Sequence, residues 1–129
     1  MKRILSISAA VVLFAAGAIA AEFPDITVGD LKSAMASQKV VLLDANGTPT
    51  WQTGHIPGAI DFAANKGNLP SLLPSDKDVL VVAYCRNPQC GAYRNAASAA
   101  KKLGYKKIKH LVAGIEGWTS AGEKVDKGS

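Results

Sequence analysis

Six apolar residues in succession, Val79-Leu80-Val81-Val82-Ala83-Tyr84, run directly into Cys85. A short, continuous, β-branched run of this kind reads as a strand buried on both faces, which is the habit of parallel rather than antiparallel sheets. The loop Arg86 to Gly91 follows, and then a helix over Ala92 to Leu103 whose Ala96, Ala97, Ala99, Ala100 and Leu103 form a small-residue face suited to close packing on a sheet. Gly104 is a helix stop. A second apolar run, Val40-Val41-Leu42-Leu43 ending in Asp44, repeats the buried-strand pattern. Strands alternating with helices predict an α/β domain built on a mostly parallel central sheet flanked by helices in three layers.

The remaining elements fit around this frame. Thr27 with Asp30 three positions on resembles a capping box, and Leu31, Ala34 and Met35 share one face, so residues 25–37 hold a short amphipathic helix. Asn46-Gly47 is a turn signal, and Pro49 suits the first position of a helical turn. Gly54, Pro57 and Gly58 make a rigid connection around His55, and Ala59 to Phe62 reads as a short strand. Residues 63–78 read as loop with one helical turn around Leu69 to Leu73. Lys106 to Lys109 lead into a last strand, Leu111-Val112-Ala113, after which Gly114 turns the chain into Ile115 to Ser120.

The chain has 129 residues, enough for one domain with a real core, and its first twenty have a different character. Lys2 and Arg3 precede a mostly apolar run from Ile4 to Phe14, and Ala18-Ile19-Ala20 is a small-x-small site. That is the layout of a secretory signal peptide, with cleavage after Ala20. An uncleaved anchor is the competing reading, but a span needs roughly 20 apolar residues and Ser6 and Ser8 interrupt this run. The expected domain is therefore residues 21–129, in the periplasm or otherwise exported, with no stable membrane span. Without Lys2 and Arg3 the chain keeps 13 basic against 10 acidic residues, a balance that does not argue for nucleic acid. Lys101, Lys102, Lys106, Lys107 and Lys109 read as a solvated face.

The chemistry concentrates at the strand–cysteine–loop–helix unit. Ligands bind at the carboxyl ends of strands in open parallel sheets, and a thiol there meets loop N–H groups and the positive end of a helix dipole. Both lower a cysteine pKa and favour the nucleophilic thiolate. Arg86 and Arg94 stand ready to hold an oxyanion. Cys90, five positions on, reads equally as a resolving thiol, a disulfide partner of Cys85 or an inert residue. His55 reads as a loop-fixing hydrogen-bond donor or acceptor, Asp44 as a turn cap, and Trp51 and Trp118 as packing residues. A zinc site from Cys85, Cys90, His55 and His110 is drawable but unoriented, so neither a metal nor a cofactor is expected.

Three blocks, in order, give the sequence a resemblance to the single-domain rhodaneses. Val41-Leu42-Leu43-Asp44 followed by Gly54-His55-Ile56-Pro57-Gly58-Ala59-Ile60 is similar to one family signature, Val81-Val82-Ala83-Tyr84-Cys85-Arg86 to the active-site start, and Leu111-Val112-Ala113-Gly114-Ile115-Glu116-Gly117-Trp118 to the closing block. The resemblance implies a sulfurtransferase in which Cys85 carries sulfur as a persulfide from a donor such as thiosulfate to a thiol or cyanide. It implies that Arg86, Asn87, Gln89, Cys90 and Gly91 of the loop, with Arg94, bind the substrate. The loop departs from the common family form: it reads about two residues longer, carries Cys90, and has Gly91 or Ala92 where a basic residue usually closes it. The alternatives are a non-catalytic rhodanese-like module serving an exported protein partner, and a Cys85/Cys90 thiol–disulfide protein.

Overall fold

A computed structural model describes residues 22–128. The signal-peptide reading of residues 1–20 lies outside the described residues. Five strands form one sheet: β1 (Asp25–Ile26), β2 (Val40–Asp44), β3 (Ile60–Asp61), β4 (Leu80–Tyr84) and β5 (Lys107–Leu111). Their order is β1-β5-β4-β2-β3, and every pairing is parallel. Among the described residues six helices flank it: α1 (Val28–Ser37), α2 (Thr48–Thr53), α3 (Phe62–Asn65), α4 (Leu69–Leu72), α5 (Tyr93–Lys102) and α6 (Gly114–Ser120).

The two apolar runs form neighbouring strands at the heart of the sheet. β4 is buried along its whole length and pairs with β2 from Val40–Leu80 to Asp44–Tyr84. Strand alternation then sorts its side chains into two cores. Val81 and Ala83 face a cluster with Val41, Leu43, Ile108 and the Ala96, Ala97 and Ala100 face of α5. Leu80, Val82 and Tyr84 face the other way, with Leu31 of α1, Ile56, Leu111 and Trp118 of α6. Fully burying a Leu or Val side chain contributes about 1.5–3 kcal/mol, so these two layers carry the fold.

Local signals set several boundaries. Thr27 caps α1, its Oγ1 accepting from the Asp30 N–H at 3.0 Å. Pro49 sits in the first turn of α2, and Gly104 ends α5 at φ +95. Three elements differ from the sequence reading. The last strand is Lys107–Leu111, not 111–113, because exposed Lys107 and half-buried Lys109 alternate with buried Ile108 and His110. Period-two burial outweighs the lysine content there. Asp25–Ile26 is a strand because it pairs with His110–Leu111, a partner more than 80 residues away that no local pattern shows. Residues 62–65 are helical, with the Asp61 carboxylate accepting from the Ala64 N–H at 3.4 Å.

His110 links three elements. It lies on β5, stacks on Tyr93 of α5 with ring centroids 3.4 Å apart, and brings Nδ1 to 3.4 Å from the exposed Asp25 carboxylate of β1. Its Nε2 is buried without a hydrogen-bond partner. Burial holds the imidazole below its ordinary pKa of 6.5, and Arg94 adds to that while Asp25 opposes it. A depressed folded-state value gives stability that is present above pH 6.5 and lost as pH falls through the folded value. The urea midpoint of the wild-type chain is therefore expected to fall between pH 7.5 and pH 5 by more than that of His110→Phe, which keeps a stacking ring and removes the titration. Equal losses in the two proteins would show that His110 carries no such linkage.

Candidate active site

The site grows from the end of β4. Cys85 follows its last residue and is 1 % exposed. The Cys85 carbonyl accepts from the Ile115 N–H at 2.9 Å, and the Arg86 carbonyl accepts from the Glu116 N–H at 3.0 Å, so the start of α6 fixes the backbone where it leaves the cysteine. Gly114 makes this approach possible. It adopts φ +65, and a Cβ there would stand 2.5 Å from the Arg86 carbonyl carbon and oxygen. Glu116 then takes two side chains, Arg86 Nε at 3.1 Å and Asn87 Nδ2 at 3.3 Å. Sequence reasoning gave Gly114 and Glu116 no part in the site; their signal was their place in the closing block.

The loop folds back on itself. The Cys90 N–H donates to the Asn87 carbonyl at 3.1 Å and the Gln89 N–H to Asn87 Oδ1 at 3.1 Å. Asn87-Pro88-Gln89-Cys90 is thus a hydrogen-bonded turn with proline at its second position, where a fixed φ suits it. It returns Cys90 to Cys85, with Cα atoms 6.2 Å apart and a disulfide joining them. Of the alternatives open for Cys90, the structure holds the disulfide partner. Two of the loop N–H groups expected to face the thiolate close the turn instead in this form.

The other expected site residues are spread around the loop. Arg86 and Gln89 are exposed, Asn87 and Cys90 half-buried. Gly91 lies against the Arg94 guanidinium, which sits 5.1 Å from the Tyr93 ring. Two clefts flank the loop. One, of about 310 Å³, is lined by Arg86, Ile115, Glu116 and Thr119 with Thr50, Thr53, Gly54 and Val125. The other, of about 180 Å³, is lined by Asn46, Lys66, Ala92 and Asn95 among others, and the buried Asn46 Nδ2 has no hydrogen-bond partner. A third and larger cleft, about 570 Å³ and rimmed by Lys101, Lys106, Lys107 and Lys109, lies at the opposite, N-terminal ends of β4 and β5.

A buried polar chain braces the strand ends beneath the loop. Asp44 Oδ1 accepts from the Asn46 N–H at 2.8 Å, which is the expected turn cap. Its Oδ2 accepts from the Tyr84 hydroxyl at 2.7 Å, and that hydroxyl in turn accepts from the Ile56 N–H at 3.1 Å. Burial pushes the Asp44 carboxyl above its ordinary 3.8, while the hydrogen bonds from Asn46 and Tyr84 pull the other way. Burial and the adjoining Asp44 raise the Tyr84 hydroxyl far above its usual range, which keeps it a donor. His55 is structural as expected: Nδ1 lies 2.7 Å from the Trp51 carbonyl, the ring stacks on Trp51, and its backbone pairs with Asp126. Among the described residues no three His, Cys, Asp or Glu side chains gather to hold a metal ion, and no helix is long and apolar enough to cross a membrane.

Comparison with known proteins agrees with this architecture. A curated HTH-type transcriptional regulator of Mycobacterium tuberculosis is 34% identical over 105 residues, covering 81% of this chain and 45% of that protein. The chain thus spans less than half the length of this relative. A Bacillus halodurans protein of solved structure superposes with a TM-score of 0.69 at 25% identity, over 81% of this chain and 77% of that one. A thiosulfate sulfurtransferase from Pseudomonas aeruginosa superposes with a TM-score of 0.65 at 24% identity, over 83% of this chain and 21% of that one. The rhodanese-like domain profile matches residues 27–121, from the cap of α1 through α6. With β4 delivering Cys85 at the carboxyl end of an all-parallel sheet inside that span, the chain belongs to the rhodanese-like domain family.

Proposed function

We propose that the reduced protein is a sulfurtransferase with Cys85 as its sulfur carrier. The observation that carries this reading is the placement of Cys85: buried, at the end of the central strand, with its own carbonyl and that of Arg86 held by α6. The Cys85 thiolate attacks the outer sulfur of a donor such as thiosulfate. The sulfur–sulfur bond of the donor breaks, sulfite leaves with the bonding pair, and a persulfide remains on Cys85. A thiol or cyanide then takes the outer sulfur. Arg86 is the natural partner of the anionic donor. Its pairing with Glu116 is highly exposed on both sides, and such surface pairs contribute about 0–1 kcal/mol, so an anion displaces Glu116 at little cost. Asn46 Nδ2 and Lys66 offer further donors in the smaller flanking cleft. Asn87, Gln89, Gly91 and Arg94 shape the approach to the sulfur.

The disulfide favours a second reading, a thiol–disulfide protein in which Cys85 and Cys90 are the redox pair. The apolar and basic start of the sequence supports export into an oxidising compartment, where such a bond persists. A non-catalytic module bound to an exported protein partner is the third.

Intact mass separates the readings. Cys90→Ser cannot form the loop disulfide and leaves Cys85 as a free thiol. Treated with thiosulfate it is expected to gain about 32 Da, one sulfur atom, and to release sulfite. The Cys85→Ser/Cys90→Ser protein is expected to gain nothing. If Cys90→Ser gains no mass and no sulfite appears, the sulfurtransferase reading is wrong.

A further inference from the structure

The loop holds a second sulfur against the first by its own fold. The turn that returns Cys90 is closed by backbone and Asx hydrogen bonds from Cys90 and Gln89 to Asn87, with Pro88 fixing one of its dihedrals. None of these bonds involves a sulfur atom, so their donors and acceptors outlast reduction, and the Cys90 thiol is then an intramolecular neighbour of Cys85 at high effective concentration. The two sulfurs also differ in access, since Cys85 is buried and Cys90 half-buried.

Resting on the sulfurtransferase reading, we infer that Cys90 is the first acceptor for the Cys85 persulfide, and that the protein reduces sulfane sulfur to sulfide. The Cys90 thiolate attacks Sγ of Cys85, the atom to which the structure bonds it. The bond from that Sγ to the outer sulfur breaks, and the outer sulfur leaves with the electron pair as hydrosulfide. The outer sulfur gains two electrons, each cysteine gives up one, and the Cys85–Cys90 disulfide is the product. Hydrosulfide is a weaker base than an alkyl thiolate, which makes it the better leaving group.

The structure therefore shows the state that follows discharge. A protein dithiol reopens it. Its first thiolate attacks the more accessible Cys90 sulfur and expels the Cys85 thiolate, and its second thiol frees Cys90 and takes the disulfide away. Summed over a cycle, thiosulfate and a dithiol give sulfite, sulfide and a disulfide. Attack at the outer sulfur would instead move the persulfide onto Cys90 and release no sulfide.

A single-turnover experiment decides. Reduced wild-type, Cys90→Ser and Cys90→Ala proteins, freed of reductant, receive thiosulfate, and sulfide is trapped with an alkylating fluorophore while intact mass is followed. Wild type is expected to release sulfide in stoichiometric amount and convert to the disulfide. Both variants are expected to hold the added sulfur and release none until a dithiol is supplied. A wild-type chain that keeps its added sulfur as long as the variants, or that carries it on Cys90 without sulfide release, overturns the inference and leaves the sulfurtransferase reading standing. Failure of all three proteins to take up sulfur or release sulfite overturns both.

Discussion

Replacing Cys85 by serine is expected to abolish thiosulfate-dependent sulfur transfer while the domain stays folded. A hydroxyl in this position is protonated at any pH the protein survives, and an oxygen nucleophile cannot form a persulfide. Cys90 does not substitute, because it sits on the far side of the turn and lacks the α6 clamp that fixes the Cys85 backbone. Loss of the nucleophile that attacks the donor in a covalent mechanism corresponds to a drop on the order of 10⁴-fold or more. The substitution also removes the disulfide, and closing so short a loop is worth roughly 2 kcal/mol in the chain-entropy picture. Cys90→Ser removes the same crosslink and is the proper control. The two variants should have matching urea midpoints and opposite behaviour toward thiosulfate, one inert and one accumulating the adduct. Appreciable transfer by Cys85→Ser, assayed with a dithiol present, would remove Cys85 from its assigned role.

Gly114→Ala is expected to be strongly destabilising for a single added methyl group. The new Cβ would lie 2.5 Å from the carbonyl carbon and oxygen of Arg86 and 2.7 Å from the Asn87 nitrogen. All three are backbone atoms, so no rotamer change relieves the clash. The residue must also hold φ +65, a region that costs a side-chain-bearing residue roughly 1–2 kcal/mol. Relief requires α6 to part from the loop, which lengthens the Ile115 and Glu116 hydrogen bonds worth about 0.5–1.5 kcal/mol each. Together these give a destabilisation of about 2–5 kcal/mol, a large share of the 5–15 kcal/mol typical of a domain. The comparison is Gly29→Ala in α1, where an added Cβ meets nothing within 4 Å and helix propensity favours alanine. Chemical denaturation should place Gly114→Ala far below wild type and Gly29→Ala at or slightly above it. If the two variants unfold together, the loop–helix contact does not bear on stability as described.

What the sequence revealed and concealed divides along the range of the interactions involved. β4, Cys85 and the alanine face of α5 were legible because burial on both faces and helical spacing are written in consecutive residues. The parallel sheet followed from that alternation. β5 was displaced because Lys107 and Lys109 masked a period-two pattern that becomes readable only once Ile108 and His110 are known to be buried. β1 has two residues and depends entirely on a distant partner. Tyr84 looked like one more member of an apolar run, yet its hydroxyl joins Asp44 to Ile56 across 40 and 28 residues, a role set by topology alone. The proximity of Cys85 and Cys90 was visible in their spacing, but the turn that closes it depends on which backbone groups Asn87 receives.

The sheet order carries a consequence for biogenesis. β1 is the first strand of the described chain and its only neighbour is β5, the last. A chain emerging from the ribosome can pair β2 with β4 once residue 84 is available, but its opening strand has nothing to join until residue 111 has been made. Closure of the sheet is thus deferred until β5 has been made. Until β5 joins, Asp25 and Ile26 have no place in the sheet, although β2 and β4 can already be paired.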